Sequence, residues 1–492
     1  MAQQHFDRLS AVDASFLHQE GANSHMHVGA VTIFEGPPPP YEEFLDSIRG
    51  RLHLVPRYRQ KLTFPRFETG RPLWVDDPSF NLEFHVRQTA LPRPGAEGQL
   101  MQLTARIVSQ QLDRSKPLWE LWMIEGVEPA EPGGAHRFAL ISKSHHALID
   151  GVSGIDLATV LFDLAPVPPE IPHPDERWRP EPVPSATEVL ASGAIGAVRA
   201  GIGGVTRALG VLAKPAAVLG EVREAAEGIG EIVWAGLNPA PATPLNVPIG
   251  PHRRFVGVRS ELRDFKLVKD TFGGTVNDVV LAAVSGSLRE FLRSRGIRTE
   301  GLELRALVPV SIRAEHEHGQ FGNRIAALRG PLPVYVEDPV ARLRAVRTGM
   351  DDLKKSKQAI GAEALASVQS FAPPTVLAQA SRLNFSTRLF NLIVTNVPGP
   401  QFPIYARGRE LQDVFPVAFL PEDHALAIAI MSYNGKVNFG LLGDYDALAD
   451  IQTLADGIEQ GLAELVALAK RRGGVQRPMG AADGEARPLT RA

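Results

Sequence analysis

Two proline-rich stretches divide the 492-residue chain and limit what it can fold into. They cover residues 165–184 and 239–251, and the segment between them, residues 185–238, is rich in alanine, glycine and valine. Proline lacks a backbone N–H and fixes φ, so it is excluded from helix interiors and from central strands. Polar, proline-rich stretches are typical of extended linkers. The chain is therefore predicted to form two folded halves joined by a long linker that carries a helical insert.

Both predicted halves alternate strand-like and helix-like patterns. Residues 28–34 (VGAVTIF) are a continuous apolar run typical of a buried strand. The Asn434-Gly435 pair is typical of a two-residue hairpin turn. We also predict strands over residues 82–86, 118–125, 137–143, 302–310, 392–397, 425–433 and 437–442. Helices are predicted over residues 41–54, 152–164, 275–295 and 451–469.

These patterns place the protein in the mixed α/β (α+β) class, with two mixed α/β halves. We expect a first half over residues 1–164, the linker and insert over 165–251, a second half over 252–472 and a disordered tail over 473–492.

Charge and cysteine content exclude several classes of function. With 52 basic and 55 acidic residues the net charge is −3, so the chain lacks the basic face that nucleic-acid binding requires. It has no cysteine, which excludes disulfides, thiolate metal sites and a cysteine nucleophile. We find no basic start followed by an apolar run, and no apolar stretch of the ~20 residues that span a bilayer. A cytoplasmic protein, soluble or attached to a lipid surface, is expected.

The segment His145-His146-x-x-x-Asp150-Gly151 follows an apolar strand and offers acid–base chemistry. A neutral imidazole can take a proton from an alcohol and return one to a leaving group. Adjacent histidines do not share a helix face and no third ligand is evident, so a metal site is disfavoured. The remaining alternative is a surface loop with no catalytic role.

This segment and several others, taken in order, resemble the bacterial wax ester synthase/diacylglycerol acyltransferases. That family lies within the chloramphenicol acetyltransferase-like superfamily of CoA-dependent acyltransferases, for which His-His-x-x-x-Asp-Gly is the characteristic motif. The other matching segments are Leu9-Ser10-Ala11-Val12-Asp13, Phe16-Leu17, Pro117-Leu118-Trp119-Glu120, Val276-Asn277-Asp278, Val308-Pro309-Val310-Ser311-Ile312-Arg313, Gly322-Asn323 and Asn396-Val397-Pro398-Gly399-Pro400. The resemblance spans nearly the whole chain apart from the insert and the tail.

The resemblance implies two domains of similar architecture, each a mixed β-sheet flanked by helices. A channel would run between them, with the histidine motif midway along it. His146 would deprotonate the hydroxyl of a diacylglycerol or a long-chain alcohol, which then attacks the thioester carbonyl of acyl-CoA without a covalent enzyme intermediate. Acyl-CoA is thus a co-substrate, and no bound cofactor or metal is expected. The lack of cysteine and of a Gly-x-Ser-x-Gly elbow agrees with direct transfer.

The resemblance also implies roles for other residues, each beside a structural alternative. Asn277 would donate to the developing oxyanion, or Asn277 and Asp278 could cap a helix. His145 would pack or orient, Asp150 would organise the loop and Gly151 would permit its turn. Substrate-binding roles are expected for Trp119, Asp278 and Arg313. For Trp119 the alternative is a place in the core, and for Arg313 it is a structural ion pair.

Some alternatives stay open at this point. A condensation-type enzyme that uses a carrier-protein thioester would share the motif, and a non-catalytic lipid-droplet-binding protein could share the fold. Residues 185–238 could dock on a membrane or lipid droplet or pack on the protein body. The preference between diacylglycerol and fatty alcohol is likewise open.

Overall fold

The computed structural model describes residues 7–64, 71–148, 161–167, 170, 178–184, 238–311, 325–355 and 386–475. In chain order its strands are β1 (Asp7–Arg8), β2 (His27–Phe34), β3 (Gln60–Thr63), β4 (Leu73–Asp76), β5 (Val86–Ala90), β6 (Trp119–Val127), β7 (Arg137–His145), β8 (Arg253–Glu261), β9 (Leu304–Ser311), β10 (Ile325–Leu332), β11 (Leu392–Pro398), β12 (Tyr405–Ala406), β13 (Arg409–Val417), β14 (Leu426–Tyr433) and β15 (Lys436–Asp444). The α-helices are α1 (Ala11–Gln19), α2 (Tyr41–Arg51), α3 (Leu82–His85), α4 (Glu97–Val108), α5 (Leu262–Phe272), α6 (Val276–Ser294), α7 (Pro339–Lys355) and α8 (Ile451–Val475).

Two six-stranded mixed sheets form the frame of the molecule. The first sheet has the order β12-β13-β2-β7-β6-β5, and the second has the order β10-β9-β11-β14-β15-β8. A small sheet, β1-β4-β3, lies apart from both. β5 runs parallel to β6, and β11 runs parallel to β9 and β14, while the other pairs are antiparallel. The predicted class, two mixed sheets with flanking helices, is confirmed.

Several elements predicted from strong local sequence patterns are present in both halves. β2 and β7 pair in register from His27↔His145 to Phe34↔Phe138. α6 is buried over most of its length, which its apolar composition requires, and it packs against α7 and α8. The hairpin prediction between β14 and β15 is confirmed, because Asn434 and Gly435 both take positive φ angles.

One predicted strand was wrong. Residues 82–85 form α3, because the side chain of Asn81 accepts the backbone N–H of Glu83 and starts a helical turn, and the strand begins only at Val86. α8 also continues to Val475, past the residue 473 at which the disordered tail was expected to begin. The helix predicted over 152–164 lies almost wholly outside the described residues, as do the insert over 185–238 and the tail beyond 475.

β13 does not follow the predicted division of the chain. It belongs to the second half in sequence, yet it pairs with β2 and so completes the first sheet. One buried apolar cluster accordingly contains residues of both halves, such as Ile33 and Ile141 with Phe415 and Val279. We propose that the two halves, although separable in sequence, form a single folding unit.

Two glycines allow β13 to cross the second sheet. Gly257 on β8 and Gly440 on β15 are direct partners across the strand pair. A Cβ added at Gly440 would lie 1.9 Å from the backbone oxygen of Pro416, and one at Gly257 would lie 2.7 Å from the ring of Phe415. No side chain fits in either gap, so Gly440 lets two backbones touch and Gly257 makes room for the Phe415 ring.

Ion pairs hold the same crossing at its rim. Arg259 on β8 donates to Asp413 of β13 at 3.0 Å and to both carboxylate oxygens of Glu97 at 2.7 Å. Lys436 donates to the other oxygen of Asp413 at 3.0 Å. Burial alone would raise the pKa of Asp413, but the charges of Arg259 and Lys436 outweigh it and lower that pKa. The buried carboxylate of β13 is therefore tied to the second sheet by two cations.

The crossing predicts a large effect for Gly440→Ala. The added methyl would meet a backbone oxygen that cannot rotate away, so we expect the free energy of unfolding to fall by about 3 kcal/mol or more. Urea denaturation followed by circular dichroism measures this change. Gly98→Ala is the matched control: its Cβ would meet nothing within 4 Å on α4, and alanine there should leave stability unchanged or raise it by up to ~1 kcal/mol. Equal effects of the two substitutions would contradict the proposed role of the contact.

Candidate active site

The two histidines of the motif sit where β7 ends. His145 is the last residue of the strand, and His146 opens a 3-10 turn, His146–Leu148. Backbone hydrogen bonds fix the turn on both sides: His145 N–H donates to Leu118 at 3.0 Å, and His146 N–H donates to Met26 at 2.8 Å. The two imidazoles therefore lie at the end of a sheet strand, on a backbone that these hydrogen bonds hold in place.

The His146 ring lies between two aromatic rings from distant parts of the chain. It stacks on Phe16 of α1 with centroids 3.9 Å apart, and Phe419, which follows β13, meets it edge-on at 5.8 Å. The residue is half-buried. Because burial disfavours the charged form, it lowers the pKa of His146 to about 4. The imidazole is therefore neutral at physiological pH, as a general base must be.

The Nδ1 atom of His146 is buried, and no other described residue forms a hydrogen bond with it. Besides burial, the neighbouring His145 lowers the pKa of His146, while the backbone of His146 itself works against this lowering. In the tautomer with its proton on Nδ1, Nε2 would be the basic nitrogen of the ring.

His145 has a different environment from its neighbour. Its side chain is 1% exposed, its Nδ1 accepts the backbone N–H of Ala147 at 3.0 Å, and its Nε2 lies 3.5 Å from the carboxylate of Glu20. A buried imidazole that points into the protein and bonds the turn fits the predicted packing or orienting role.

Asn277 and Asp278 open α6 but differ in their contacts. The carboxylate of Asp278 accepts the backbone N–H of Thr275 at 2.8 Å while Thr275 caps the helix, which forms a capping box. The amide oxygen of Asn277 instead accepts from Nδ2 of Asn396 on β11 at 3.3 Å. Asp278 is buried, whereas Asn277 is half-buried. At the start of the helix, Asp278 therefore caps the backbone, whereas Asn277 contacts a strand of the second sheet.

Trp119 lies in the core of the first half. Its side chain is 1% exposed, its ring stacks on His85 at 4.7 Å, and its Nε1 donates to the carbonyl of Tyr58 at 2.8 Å. A tryptophan enclosed in this way has the core position that was the alternative to a substrate-binding role.

The remaining predicted site residues, Asp150, Gly151 and Arg313, lie outside the described residues. No described contact joins Asn277 to His146. Sequence patterns did not single out Glu20 or Phe419, which the fold brings to the histidine pair from far along the chain. Asn396 was quoted only as part of a matching segment, and no spacing rule could have paired it with Asn277.

None of the helices in the described ranges is long and apolar enough to cross a membrane. No group of three or more His, Asp or Glu side chains in the same ranges has the arrangement of a metal site.

Comparison with protein families gives two matches that together cover most of the chain. The wax ester synthase/diacylglycerol acyltransferase catalytic domain matches residues 9–280. The C-terminal domain of the same family matches residues 321–466.

Similar proteins agree with these matches along nearly their full length. A Mycobacterium tuberculosis protein named as the probable diacylglycerol O-acyltransferase tgs1 is 36% identical over 470 residues, which are 95% of this chain and 97% of that protein. A second, named as the probable diacylglycerol O-acyltransferase tgs2, is 31% identical over 474 residues, 93% of this chain and 98% of that protein.

Solved structures share the fold as well. The wax ester synthase/diacylglycerol acyltransferase from Marinobacter aquaeolei superposes with a TM-score of 0.65 at 28% identity, covering 94% of this chain and 100% of that one. The first condensation domain of the calcium-dependent antibiotic synthetase, at 16% identity and a TM-score of 0.56, covers 95% of this chain and 97% of its own and shares the fold alone. From the matched domains and the full-length relatives, the chain belongs to the wax ester synthase/diacylglycerol acyltransferase family.

Proposed function

We propose that the protein transfers a long-chain acyl group from acyl-CoA to the hydroxyl of diacylglycerol or of a long-chain alcohol, with His146 as the general base. Membership of the family supports the reaction class. The observation that carries the assignment of the base is the His146 ring, which is held neutral at a strand end between Phe16 and Phe419. We prefer His146 to His145 as the base, because the His145 ring is buried and its Nδ1 already accepts the backbone N–H of Ala147.

The proposed step needs one base and no covalent enzyme intermediate. Nε2 of His146 takes the proton of the acceptor hydroxyl as its oxygen attacks the thioester carbonyl. The tetrahedral intermediate then breaks its C–S bond. The departing thiolate receives the proton from the imidazolium, which releases CoA and the ester. His146 returns to its neutral form, ready for the next acceptor.

Asn277 is the proposed donor to the oxyanion of that intermediate. The bond from Asn396 occupies the amide oxygen of Asn277, so both N–H groups of its Nδ2 remain for a ligand. A donor oriented before the reaction stabilises developing charge without reorganisation. Asn396 would then act through Asn277, by fixing which way its amide faces.

The other predicted residues keep supporting roles in this proposal. Asp278 holds the start of α6 and so positions Asn277, rather than touching substrate. Asp150 and Gly151 are proposed to shape the loop after the 3-10 turn, and Arg313 to contact the CoA moiety. Trp119 is assigned to the core.

The acceptors of this reaction partition into lipid, so we propose that the protein meets them at a membrane or lipid-inclusion surface in the cytoplasm. Leu164 and Val167 are 77% and 82% exposed, and apolar side chains exposed to this degree favour contact with such a surface. An assay of the activity should therefore present the acceptor within phospholipid vesicles.

His146→Ala should abolish most of the activity. Removal of a general base is expected to lower kcat by roughly a thousandfold. Purified protein is incubated with palmitoyl-CoA and vesicles that contain either dioleoylglycerol or hexadecanol, and free thiol is followed. Sedimentation of the protein with those vesicles checks the proposed surface attachment. His136→Ala, at an exposed histidine, is the matched control and should keep wild-type rates.

Two results would overturn this assignment. A wild-type protein that releases no CoA with either acceptor, or that turns over only a carrier-bound thioester, contradicts the proposed reaction. A folded His146→Ala protein with full activity contradicts the proposed base. Comparing the two acceptors side by side also gives the preference between them.

The pH dependence of kcat/KM follows from the burial of His146. Because the pKa of His146 is lowered to about 4, the neutral base dominates at every pH well above that value. We therefore expect kcat/KM to stay constant between pH 8 and pH 6 and to fall only as the pH approaches about 4. An unshifted histidine, with a pKa of about 6.5, would give a loss of roughly fourfold between pH 8 and pH 6. A fall of that size would contradict the proposed environment of the base.

Asn277 can be tested by separating its two candidate roles. Asn277→Ala should lower kcat by about 100- to 1,000-fold with little change in KM, because the lost donor acts mainly in the transition state. Asn277→Asp replaces the donor by a carboxylate and should be at least as inactive. A carboxylate in the first turn of a helix is favourable, so this variant should unfold no more easily than the wild type. Wild-type kcat in either variant would leave Asn277 with a structural role only.

A further inference from the structure

Glu20 is a buried carboxylate close to the histidine pair. It is the residue directly after α1, and its side chain is 1% exposed. Taking a carboxylate out of water is costly unless it is paired and hydrogen-bonded. The pKa of Glu20 is nonetheless held at about 2, because its contacts with His145 and Arg114 outweigh burial, which alone would raise it. Glu20 is therefore an anion at physiological pH.

Three cationic or imidazole groups approach this carboxylate, but only two can donate to it. Arg114 donates through Nε at 2.8 Å, and His145 places Nε2 3.5 Å from the same oxygen. His27 comes within 3.7 Å, yet its Nε2 already accepts the backbone N–H of Leu112 at 3.4 Å, so that nitrogen carries no proton. Burial also lowers the pKa of His27 well below its usual value, which keeps it neutral.

The geometry around His145 selects one tautomer of its ring. Nδ1 accepts the backbone N–H of Ala147 at 3.0 Å, so Nδ1 must be unprotonated. The ring proton then resides on Nε2, which has no hydrogen-bond partner among the described residues and has the Glu20 carboxylate as its ion-pair neighbour at 3.5 Å. An anion at that side favours a proton on Nε2. The carboxylate and the Ala147 N–H thus require the same state of the ring.

Helix α1 and the residue that directly follows it contact both histidines. Phe16 stacks on the His146 ring, and Glu20, one turn later, faces His145. Ala147 lies in the 3-10 turn that begins with His146, so its hydrogen bond to His145 closes the backbone on which the base is carried. A change of tautomer would set Nδ1–H against the N–H of Ala147 and leave both donors without an acceptor.

We propose that Glu20 is a positioning residue for acyl transfer: its carboxylate fixes His145 as the Nε2–H tautomer, which accepts Ala147 N–H and so shapes the turn that presents His146. This inference rests on the proposed function of His146. The sequence patterns did not single out Glu20 for such a role. Glu20 touches no reacting atom in this arrangement and acts through His145.

The test compares two buried carboxylates changed in the same way. Glu20→Gln removes the anion that favours Nε2–H, and its amide can donate to Nε2 and stabilise the other tautomer. Asp413→Asn is the matched control, since that carboxylate is also buried, with its side chain 5% exposed, and is bonded to Arg259 and Lys436 instead of to the histidines. We expect Glu20→Gln to lower kcat by about 10- to 100-fold with the KM for acyl-CoA nearly unchanged, and Asp413→Asn to keep kcat while lowering the melting temperature.

A spectroscopic readout reports the tautomer without requiring turnover. In protein labelled with ¹⁵N-histidine, the His145 signals are assigned by their loss in His145→Gln. The wild type should show the Nε2–H form, and Glu20→Gln should show the Nδ1–H form or a mixture. Glu20→Asp keeps the charge and should retain the wild-type tautomer together with more activity than Glu20→Gln.

Several results would overturn the proposal. An Nδ1–H tautomer of His145 in the wild type would do so, even if Glu20→Gln does not fold. A kcat of folded Glu20→Gln within about threefold of the wild type would also contradict it. So would equal losses of kcat in Glu20→Gln and Asp413→Asn. If the wild type has the Nε2–H tautomer but His146→Ala keeps full activity, the proposed base fails while the contact of Glu20 with His145 stands.

Discussion

The architecture depends on a backbone-to-backbone contact between Gly440 and Pro416. With no side chain at Gly440 or at its partner Gly257, β13 can lie against the second sheet while pairing with β2 in the first. Phe419 follows directly after this strand and reaches His146. The position of the Phe419 ring beside the proposed base therefore depends on the close packing of β13 on the second sheet, which Gly257 and Gly440 permit.

The site is assembled from segments that are far apart in sequence. Phe16 comes from α1 and Glu20 directly follows that helix, the histidine pair lies at the end of β7, and Phe419 lies in the segment after β13. Each imidazole is placed by a different kind of force: His146 by aromatic packing and burial, and His145 by a charge and a backbone hydrogen bond. Two adjacent residues of one type consequently differ in exposure and in hydrogen bonding.

Local patterns in the sequence predicted much of the fold, and the reasons are physical. β2 and α6 have continuous or periodic apolar faces, and the Asn434-Gly435 turn has a specific backbone requirement, so short-range rules sufficed. The strand predicted over residues 82–86 was wrong, because one capping side chain, Asn81, starts a helical turn and outweighs an apolar run of strand length. The pairing of β13 with β2 depends on contacts nearly 400 residues apart in the chain, which no local rule contains.

The same distinction holds for the candidate site. The histidine motif and Asn277 could be taken from sequence by resemblance, since residue type and order carry that information. Which histidine is half-buried between aromatic rings could not, because the answer lies in Phe16, Phe419 and Glu20 around them. The partnership of Asn396 with Asn277 likewise joins a strand to a helix start, and only the folded chain brings them together.

The place of β13 in the first sheet also bears on how the chain can be cut. A fragment that ends anywhere before Arg409 would keep β2 bonded to β7 on one side and leave its other side without a partner. Residues 31–34 of β2 are all buried in the intact protein. Such a fragment would expose a row of free N–H and C=O groups on an apolar edge strand, which is a template for pairing with other chains. The N-terminal half should therefore aggregate when it is made alone, and adding residues 405–417 back should protect that edge.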